Sequence, residues 1–399
     1  MKLFYFGSLC SDETFEHIVK NSKRPPSHSA QNFEGALIKG LCEIDCDLSV
    51  NSALSIAPFP EGCRLNIKRG YEKIGKTETY IIPMLNLPVI KQKCMSKGLV
   101  VRLKKWLDEN RTCKDKCVIT YGIYPPTAAV IQKLCKKYDC KCVAIIADIP
   151  RMMYTYTPNR NYLKRILALI YRRSAISLQS GFDAYVYLTE AMASEVGKDK
   201  PYIVIETVCD ETAFDGEALE KSSPKAVMYA GALYKKYGLD LIVSSFLKVK
   251  GDYELWLFGD GDYKEEIKKA AIADKRIKFF GVADRKTILE YERKASLLVN
   301  IRSDEQEFTK FSFPSKTVEY MLSGTPTLTS RLEGIPDEYY DYVYTLDNTD
   351  VEKIALKIGE ILEKDDGIGK AARNFVLENK NSRAQAEKLL KFLQAQTTE

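Results

Sequence analysis

The sequence predicts an α/β protein built from two doubly wound, parallel-sheet domains. Short apolar, β-branched or aromatic runs alternate with helical stretches along nearly all of its length, the pattern of buried strands joined by crossover helices. The alternation stops and restarts across an acidic, turn-rich stretch within 207–224, VCDETAFDGEALEKSSP, which reads as a linker. The 399 residues exceed one ordinary core and suit two domains of about 150–200 residues.

The first strand series is LFYF (3–6), CVITY (117–121), CVAIIAD (142–148), AYVYLTE (184–190) and YIVIE (202–206), with helices at Ala128–Lys137 and Asn161–Ser177. The second is AVMYAG (226–231), YELWLFG (253–259), RIKFFG (276–281), LLVNIR (297–302), TPTLTS (325–330) and YVYTL (342–346). Helical periodicity separates its members at Asp240–Phe246, Tyr263–Ala271, Lys286–Arg293 and Ser315–Leu322. The predicted division is one domain over 1–206, a linker over 207–224 and a second domain over 225–375. The charged helix Ala371–Gln394 ends the chain, its 376–399 part packing near both domains. Ligands of such sheets sit beyond the carboxyl ends of the strands, which makes the cleft between the two sheets the expected site.

Composition removes several function classes. Apolar and charged fractions of 45% and 29% belong to a globular protein. MKLFYFGSLCSDE reads as a first strand rather than a signal peptide, and the uncharged run Tyr80–Ile90, broken by Pro83 and Pro88, is far short of the roughly 20 residues that span a bilayer. A cytoplasmic protein is expected. The 11 cysteines, odd in number and without zinc-site spacing, read as reduced thiols. With only His17 and His28, histidine triads and histidine metal cages are nearly excluded. Charge is uneven: up to Ile205 there are 31 Lys and Arg against 19 Asp and Glu, a net +12, and the remainder carries −6. The basic half suits an anionic partner such as a membrane surface or a phosphorylated acceptor, or is simply a solvated surface. Neither a glycine-aromatic RNA-binding motif nor a zinc finger accompanies it, so no nucleic acid is expected.

The sharpest candidate site is NIRSDEQEFTKFSFPSKTVEYMLSGTP, 300–326. A strand ends at Arg302, and Phe313-Pro314-Ser315 opens a helix whose free N–H groups and dipole favour an anion. Lys316 adds a positive charge there, and Glu319, about one turn on, can accept from two sugar hydroxyls. Diphosphate at the helix start and ribose at Glu319 make a coherent nucleotide site; an ordinary helix start with Glu319 offsetting the dipole fits the spacing equally well. A second segment, YAGALYKKYGLDL (229–241), ends a strand at Gly231 and carries Lys235 and Lys236 toward a diphosphate. Gly7-Ser8, after the first strand, is a weaker signal of the same kind.

Together these segments resemble the family-4 glycosyltransferases of the GT-B fold, in which two Rossmann-like domains face each other across a cleft. The resemblance runs through GAL…YG (231–238), FGDGD (258–262), RIKFFG (276–281) and FPSKTVEYMLSGTP (313–326), and is nearest to the bacterial capsule and exopolysaccharide branch. SHSAQNFEGALIKGL (27–41), DIP (148–150) and AYVYLTEAMA…KPYIVIE (184–206) resemble that branch more loosely. The resemblance implies an N-terminal acceptor-binding domain and a C-terminal donor-binding domain. It implies that Glu319 holds the donor ribose, and that Lys316, Ser315, Thr317 and Phe313 stand at the diphosphate. Phe280, Gly281 and Val282 would lie beside the base, with Gly7, Gly231 and Gly259 on the donor loops. The first glutamate of the family's E-x7-E motif falls on Phe311, and the phosphate-loop Arg and Lys fall on Ala232 and Tyr237, leaving Lys235, Lys236 and Arg302 as substitutes.

The implied reaction is retaining hexosyl transfer from a UDP- or GDP-linked sugar, with no metal and no cofactor, to a glycan or lipid-linked acceptor. Leaving of the nucleoside diphosphate develops negative charge, which fixed cations and helix-end N–H groups stabilise. Lys316 and Arg302 are the candidates for that work, and Asp148 for steadying the sugar or acceptor hydroxyl. Asp260-Gly261-Asp262 and Asp45-Cys46-Asp47 match D-x-D, a metal–diphosphate signature of another transferase fold, but the first reads as a Gly-rich turn. Helix Asn161–Ser177 sets Tyr162, Ile166, Leu169 and Ile170 against Lys164, Arg165 and Arg172, which fits an interfacial helix on the inner leaflet or a surface helix packed on a core. A GT-B sugar-nucleotide epimerase is disfavoured by the scarcity of histidine. A degenerate nucleotide-binding protein is the alternative that Phe311, Ala232 and Tyr237 allow.

Overall fold

The computed structural model describes residues 1–153, 162–210, 219–302, 307–346 and 349–397. The chain divides into two compact units, Met1–Asp210 with Asn381–Glu399, and Glu211–Lys380.

The first unit is laid down by β1 (Lys2–Gly7), α1 (Asp12–Asn21), α2 (His28–Leu41), β2 (Asp47–Ser52), β3 (Asn66–Ile67), β4 (Gly70–Ile74), β5 (Thr77–Ile81), β6 (Met84–Leu85), α3 (Ile90–Glu109), β7 (Lys116–Tyr121), α4 (Pro125–Lys137), β8 (Lys141–Ile146), α5 (Tyr162–Leu178), β9 (Ala184–Tyr187) and β10 (Tyr202–Val204). Its eight-stranded sheet runs β10-β9-β8-β7-β1-β2-β5-β4. All pairs are parallel except the edge strand β4 against β5. The order reverses at β1, whose central place explains why Leu3, Phe4 and Tyr5 are wholly buried. Helix α1 starts where the Ser11 hydroxyl accepts from the Thr14 N–H, and α4 starts on Pro125, a residue suited to the first helical turn.

The second unit holds β11 (Lys225–Ala230), α6 (Leu239–Phe246), β12 (Tyr253–Phe258), α7 (Lys264–Ala273), β13 (Ile277–Gly281), α8 (Arg285–Lys294), β14 (Leu297–Asn300), α9 (Ser315–Ser323), β15 (Thr327–Ser330), β16 (Tyr344–Leu346), α10 (Val351–Leu362) and α11 (Ile368–Asn379). Its sheet is wholly parallel, in the order β13-β12-β11-β14-β15-β16. That is the doubly wound order with its switch point between β11 and β14.

Two readings change. The single helix expected over Ala371–Gln394 is two, α11 and α12 (Ser382–Thr397). The break falls at Lys380–Asn381, where the Asn381 side chain accepts from the Ala384 N–H and caps the new helix. There the chain returns to the first unit: Ala386, Leu389, Leu390 and Leu393 of α12 pack into one core with Phe33, Ala36, Leu37 and Leu41 of α2. Approach is so close that a Cβ on Gly40 would stand 1.9 Å from the Ser382 carbonyl oxygen. Strands β2, β4 and β5 were not among the expected ones. DLSVNS looks polar, yet Asn51 and Ser52 are wholly buried because Arg102 donates to the Asn51 side-chain Oδ1 and the Ser52 hydroxyl donates to the Leu9 carbonyl. Of the expected linker, residues 211–218 lie outside the described residues.

No disulfide joins any of the eleven cysteines, all of which are described residues. Among the described residues no helix is long and apolar enough to cross a membrane.

Candidate functional site

The carboxyl ends of β11, β12, β13 and β14 share one edge of the second sheet, and their loops are stitched together by backbone hydrogen bonds. The Gly231 N–H donates to the Phe258 carbonyl at 3.0 Å, Gly259 to Gly281 at 2.7 Å, and Leu233 to Asp260 at 2.9 Å. Gly259 adopts φ +130°, and a Cβ there would lie 1.8 Å from the Gly231 oxygen, so no other residue fits. Gly238, at φ +79°, closes the short turn Lys235–Tyr237. A Cβ there would meet the Ile301 carbonyl oxygen at 2.1 Å. The lysine-bearing loop is thereby pressed onto the chain leaving β14.

Arg302 emerges there. Its N–H donates to the Ser330 hydroxyl at 2.9 Å, and its guanidinium lies 5.0 Å from the centre of the Tyr237 ring. Its Nε is buried and makes no hydrogen bond among the described residues. Burial pulls the guanidinium below its usual pKa range, against the opposing effect of Tyr229, Tyr237 and Tyr320. Lys236 lies 5.4 Å and 5.1 Å from the rings of Tyr234 and Tyr237, while exposed Lys235 stands 3.8 Å from Asp240.

Helix α9 begins with no side-chain cap and no acid in its first turn, so its N-terminal donors and positive dipole end are open to an anion. Tyr320 ties it to the sheet, its hydroxyl accepting from the Ala230 N–H at 3.0 Å. On this helix Lys316 donates to Glu319, and its Nζ lies 3.9 Å from Glu292 on α8. Side-chain exposure separates their roles: Lys316 and Glu319 keep 29% and 24%, Glu292 none. A ligand can reach the first two only. Neither Glu292 carboxyl oxygen accepts a hydrogen bond among the described residues. Burial and the Glu319 charge push that carboxyl well above the usual range, with Lys316 in partial opposition. Burial also raises Glu319, but Lys316 outweighs it and leaves the carboxyl below the usual range. Burial thus biases Glu292 toward its neutral form, while Lys316 biases Glu319 toward its charged one.

The remaining expected donor residues differ in what they offer. Phe280 is 43% exposed and stacks on Phe258 with centroids 4.5 Å apart at 8°, so the end of β13 presents a flat apolar face beside exposed Val282. Gly281 has open space around its Cα. Ser315 stands at the first position of α9. Phe313 is buried against Tyr339. Thr317 is wholly buried, and its hydroxyl accepts from Asn300; its side chain belongs to the core and not to the site surface. The D-x-D acids are engaged otherwise: Asp260 pairs with Lys264 at 3.0 Å, Asp262 accepts from the Lys235 N–H at 3.2 Å, and Asp47 pairs with Lys2 at 2.8 Å. Among the described residues no group of three or more His, Cys, Asp or Glu could hold a metal ion.

Gly7 and Asp148 belong to the first unit. Gly7-Ser8 caps wholly buried Glu34 of α2, which accepts from the Ser8 hydroxyl at 2.6 Å, the Ser8 N–H at 3.0 Å and the Tyr5 hydroxyl at 3.0 Å. Burial pushes this carboxyl up to about 7, against the hydrogen bonds from Ser8 and Tyr5. Asp148 is exposed in the loop after β8. Its charge, with that of Glu34, adds to burial in raising the Tyr121 phenol.

Sequence reading missed Glu292 and Glu34. Both left a signal, an acid on an apolar helical stripe: Glu292 four after Ile288 and three before Ala295, Glu34 three and four before Leu37 and Ile38.

Residues 224–364 match the family model described as "Glycosyl transferases group 1". No curated protein matches the chain in sequence. Solved structures match along its length. Sucrose-phosphate synthase from Thermosynechococcus elongatus is 15% identical with TM-score 0.59, covering 99% of this chain and 100% of that one. HepE from Anabaena, solved in complex with UDP, is 14% identical with TM-score 0.60 over 99% and 100%. The α,α-trehalose 6-phosphate synthase of Burkholderia multivorans is 9% identical with TM-score 0.61 over 99% and 98%. The chain has the GT-B fold, and its residues 224–364 are similar to the group 1 glycosyl transferase domain.

Proposed function

We propose that the protein is a retaining, metal-independent glycosyltransferase of the family-4, capsule and exopolysaccharide type. It moves a hexose-type sugar from a UDP- or GDP-linked donor to a glycan acceptor, lipid-linked, at the cytoplasmic face of a membrane. The observation that carries the reading is the Lys316–Glu319 pair at the uncapped start of α9, partly exposed, with buried Glu292 3.9 Å from Lys316. In this reading the ribose diol is held by Glu319, and the diphosphate by the helix N–H groups, Lys316 and Arg302. Negative charge developing on the departing diphosphate meets donors already in place, which need no reorganisation at the moment of reaction. Phe280 and Val282 present an apolar face to the base.

Membrane attachment is assigned to α5. Ile166, Leu167, Leu169 and Ile170 are 37–53% exposed, beside exposed Arg165 and Arg173. That combination suits an anionic leaflet. Tyr162 and Lys164, also expected on this helix's two sides, have side chains outside the described residues.

The test is a thermal-shift panel of nucleoside diphosphates and nucleotide sugars, with and without EDTA, on wild type and Glu319→Ala. Stabilisation by one nucleoside diphosphate, indifferent to EDTA and lost in the variant, is expected. No shift with any nucleotide at millimolar concentration would sink the reading. Binding without donor turnover would favour a degenerate nucleotide-binding protein.

A further inference from the structure

The first unit holds a cavity of about 410 Å³ beyond the carboxyl ends of β2 and β5, walled by Leu54, Ile81 and the chain from Arg64 to Glu72. This is the edge of a parallel sheet at which ligands gather. Its charge is unbalanced. Arg64, half-buried, and exposed Lys68 and Arg69 line it, and among the described residues the charged group of none of the three has an ion-pair or hydrogen-bond partner. The carboxylate on the wall, Glu72, is already engaged, one oxygen accepting from the Ser11 N–H at 2.7 Å and the other from the Thr14 hydroxyl at 3.0 Å. Three cationic side chains thus face one carboxylate around a concave surface, a net positive balance.

The wall is also built to stay in place. Wholly buried Asn86 donates from its side chain to the carbonyls of Ala57 and Arg64, both at 2.8 Å, and its N–H donates to the Leu65 carbonyl at 2.7 Å. The backbone that presents Arg64 is pinned on both sides. Tyr71, 58% exposed, adds a ring braced edge-on by Tyr80 at 5.3 Å, and Tyr80 is itself covered by the Arg102 guanidinium at 4.2 Å. A pyranose face packs on such a ring, and a planar guanidinium matches an oxyanion in two hydrogen bonds.

We propose that this cavity is an anionic-carbohydrate site, in which Arg64, with Lys68 and Arg69, holds a phosphate or carboxylate and Tyr71 supports the sugar ring. Resting on the glycosyltransferase reading, it assigns the acceptor its chemical class: a phosphorylated or uronic sugar rather than a neutral one.

The experiment is titration calorimetry with ligand-observed NMR on the full chain, using glucose 6-phosphate, glucuronate, glucose and inorganic phosphate as probes. Wild type, Arg64→Gln, Arg69→Gln and Tyr71→Ala are compared, each first checked for an unchanged melting temperature. Glucose 6-phosphate and glucuronate should bind and glucose should not. Arg64→Gln should weaken binding roughly tenfold or more, the scale of one lost charge-assisted hydrogen bond, and Arg69→Gln should weaken it less. Tyr71→Ala should weaken the sugar phosphate but spare inorganic phosphate. Binding unchanged in Arg64→Gln would overturn the proposal, as would inorganic phosphate binding as tightly as the sugar phosphate. A parallel arm uses phosphatidylglycerol vesicles. Vesicle binding lost in Arg64→Gln, with sugar phosphates inert, would assign the cavity to lipid headgroups and overturn it too. Nucleoside diphosphate binding, read alongside, depends on Glu319 and not on Arg64, so failure of the donor reading is distinguishable from failure of this one.

Discussion

Glu292 has no exposed surface and no donor to its oxygens, with Lys316 3.9 Å away and Glu319 beside it. An ionised carboxylate there would be costly, and burial with the Glu319 charge favours the neutral form. Glu292→Gln is neutral and nearly isosteric, so nucleoside diphosphate affinity should stay within about threefold, under 1 kcal/mol. Glu292→Ala opens a cavity beside Lys316 and Glu319, and should weaken binding by roughly tenfold and cost about 2–3 kcal/mol of stability. Calorimetric titration of both variants decides it: equal losses in Gln and Ala would mean that Glu292 acts as a carboxylate. Glu34 yields a second prediction. Its folded pKa of about 7 lies above the ordinary value, so the protonated form is favoured on folding. The associated stability is full below about pH 4.5 and is lost as pH rises through about 7. The span is about 3 kcal/mol, one pKa unit being 1.36 kcal/mol. Tyr5, Ser8 and Tyr121 stand around the group. Glu34→Gln should flatten the denaturation free energy between pH 5 and 8; a wild-type slope kept in the variant would assign the effect to another group.

At the scale of the element, α5 shows how one periodicity can serve two ends. Sequence spacing allowed either a packed or an interfacial helix, and the structure leaves Leu169 and Ile170 half exposed while Ala175 is wholly buried. Leu169→Asp with Ile170→Asp should therefore leave nucleotide binding unchanged and reduce co-sedimentation with anionic vesicles about tenfold or more, on the basis of roughly 1.5–3 kcal/mol per buried leucine or isoleucine. Co-sedimentation unaffected by both charges would remove α5 as the anchor. The same scale explains which elements the sequence made legible. The strand series from β7 to β15 reads directly because each member is a short run of apolar residues between turn signals. By contrast, β2 reads as a loop, since Asn51 and Ser52 are polar and become buried only through Arg102 and the Leu9 carbonyl. Helices α11 and α12 merge in the sequence because the break at Asn381 is a cap inside a continuous polar and apolar rhythm.

For the molecule as a whole, the last helix is a structural part of the first unit although it follows the second in sequence. Leu389 and Leu393 have no exposed surface and Leu390 has 9%, all against the core that α2 and the central strands share. Removing residues 382–399 would expose this face at a cost of roughly 5 kcal/mol or more, at about 2 kcal/mol per buried leucine, a large share of a domain's stability. The truncated chain should lose cooperative unfolding of the first unit in calorimetry; a full-length-like transition would show that the helix is dispensable. Taken alone, the sequence determined the fold class, the place of the break between strand series and the α9 segment with Lys316 and Glu319, because alternation, turn chemistry and helix starts are local properties that a single chain displays. Tertiary structure alone decided that Glu292 lies under Glu319, that Thr317 faces the core, that Arg64 stands unpaired in a cavity, and that α12 belongs with α2. Those are matters of which distant residues meet and how much water is left between them, and burial and charge pairing have no one-dimensional signature beyond an acid on an apolar stripe.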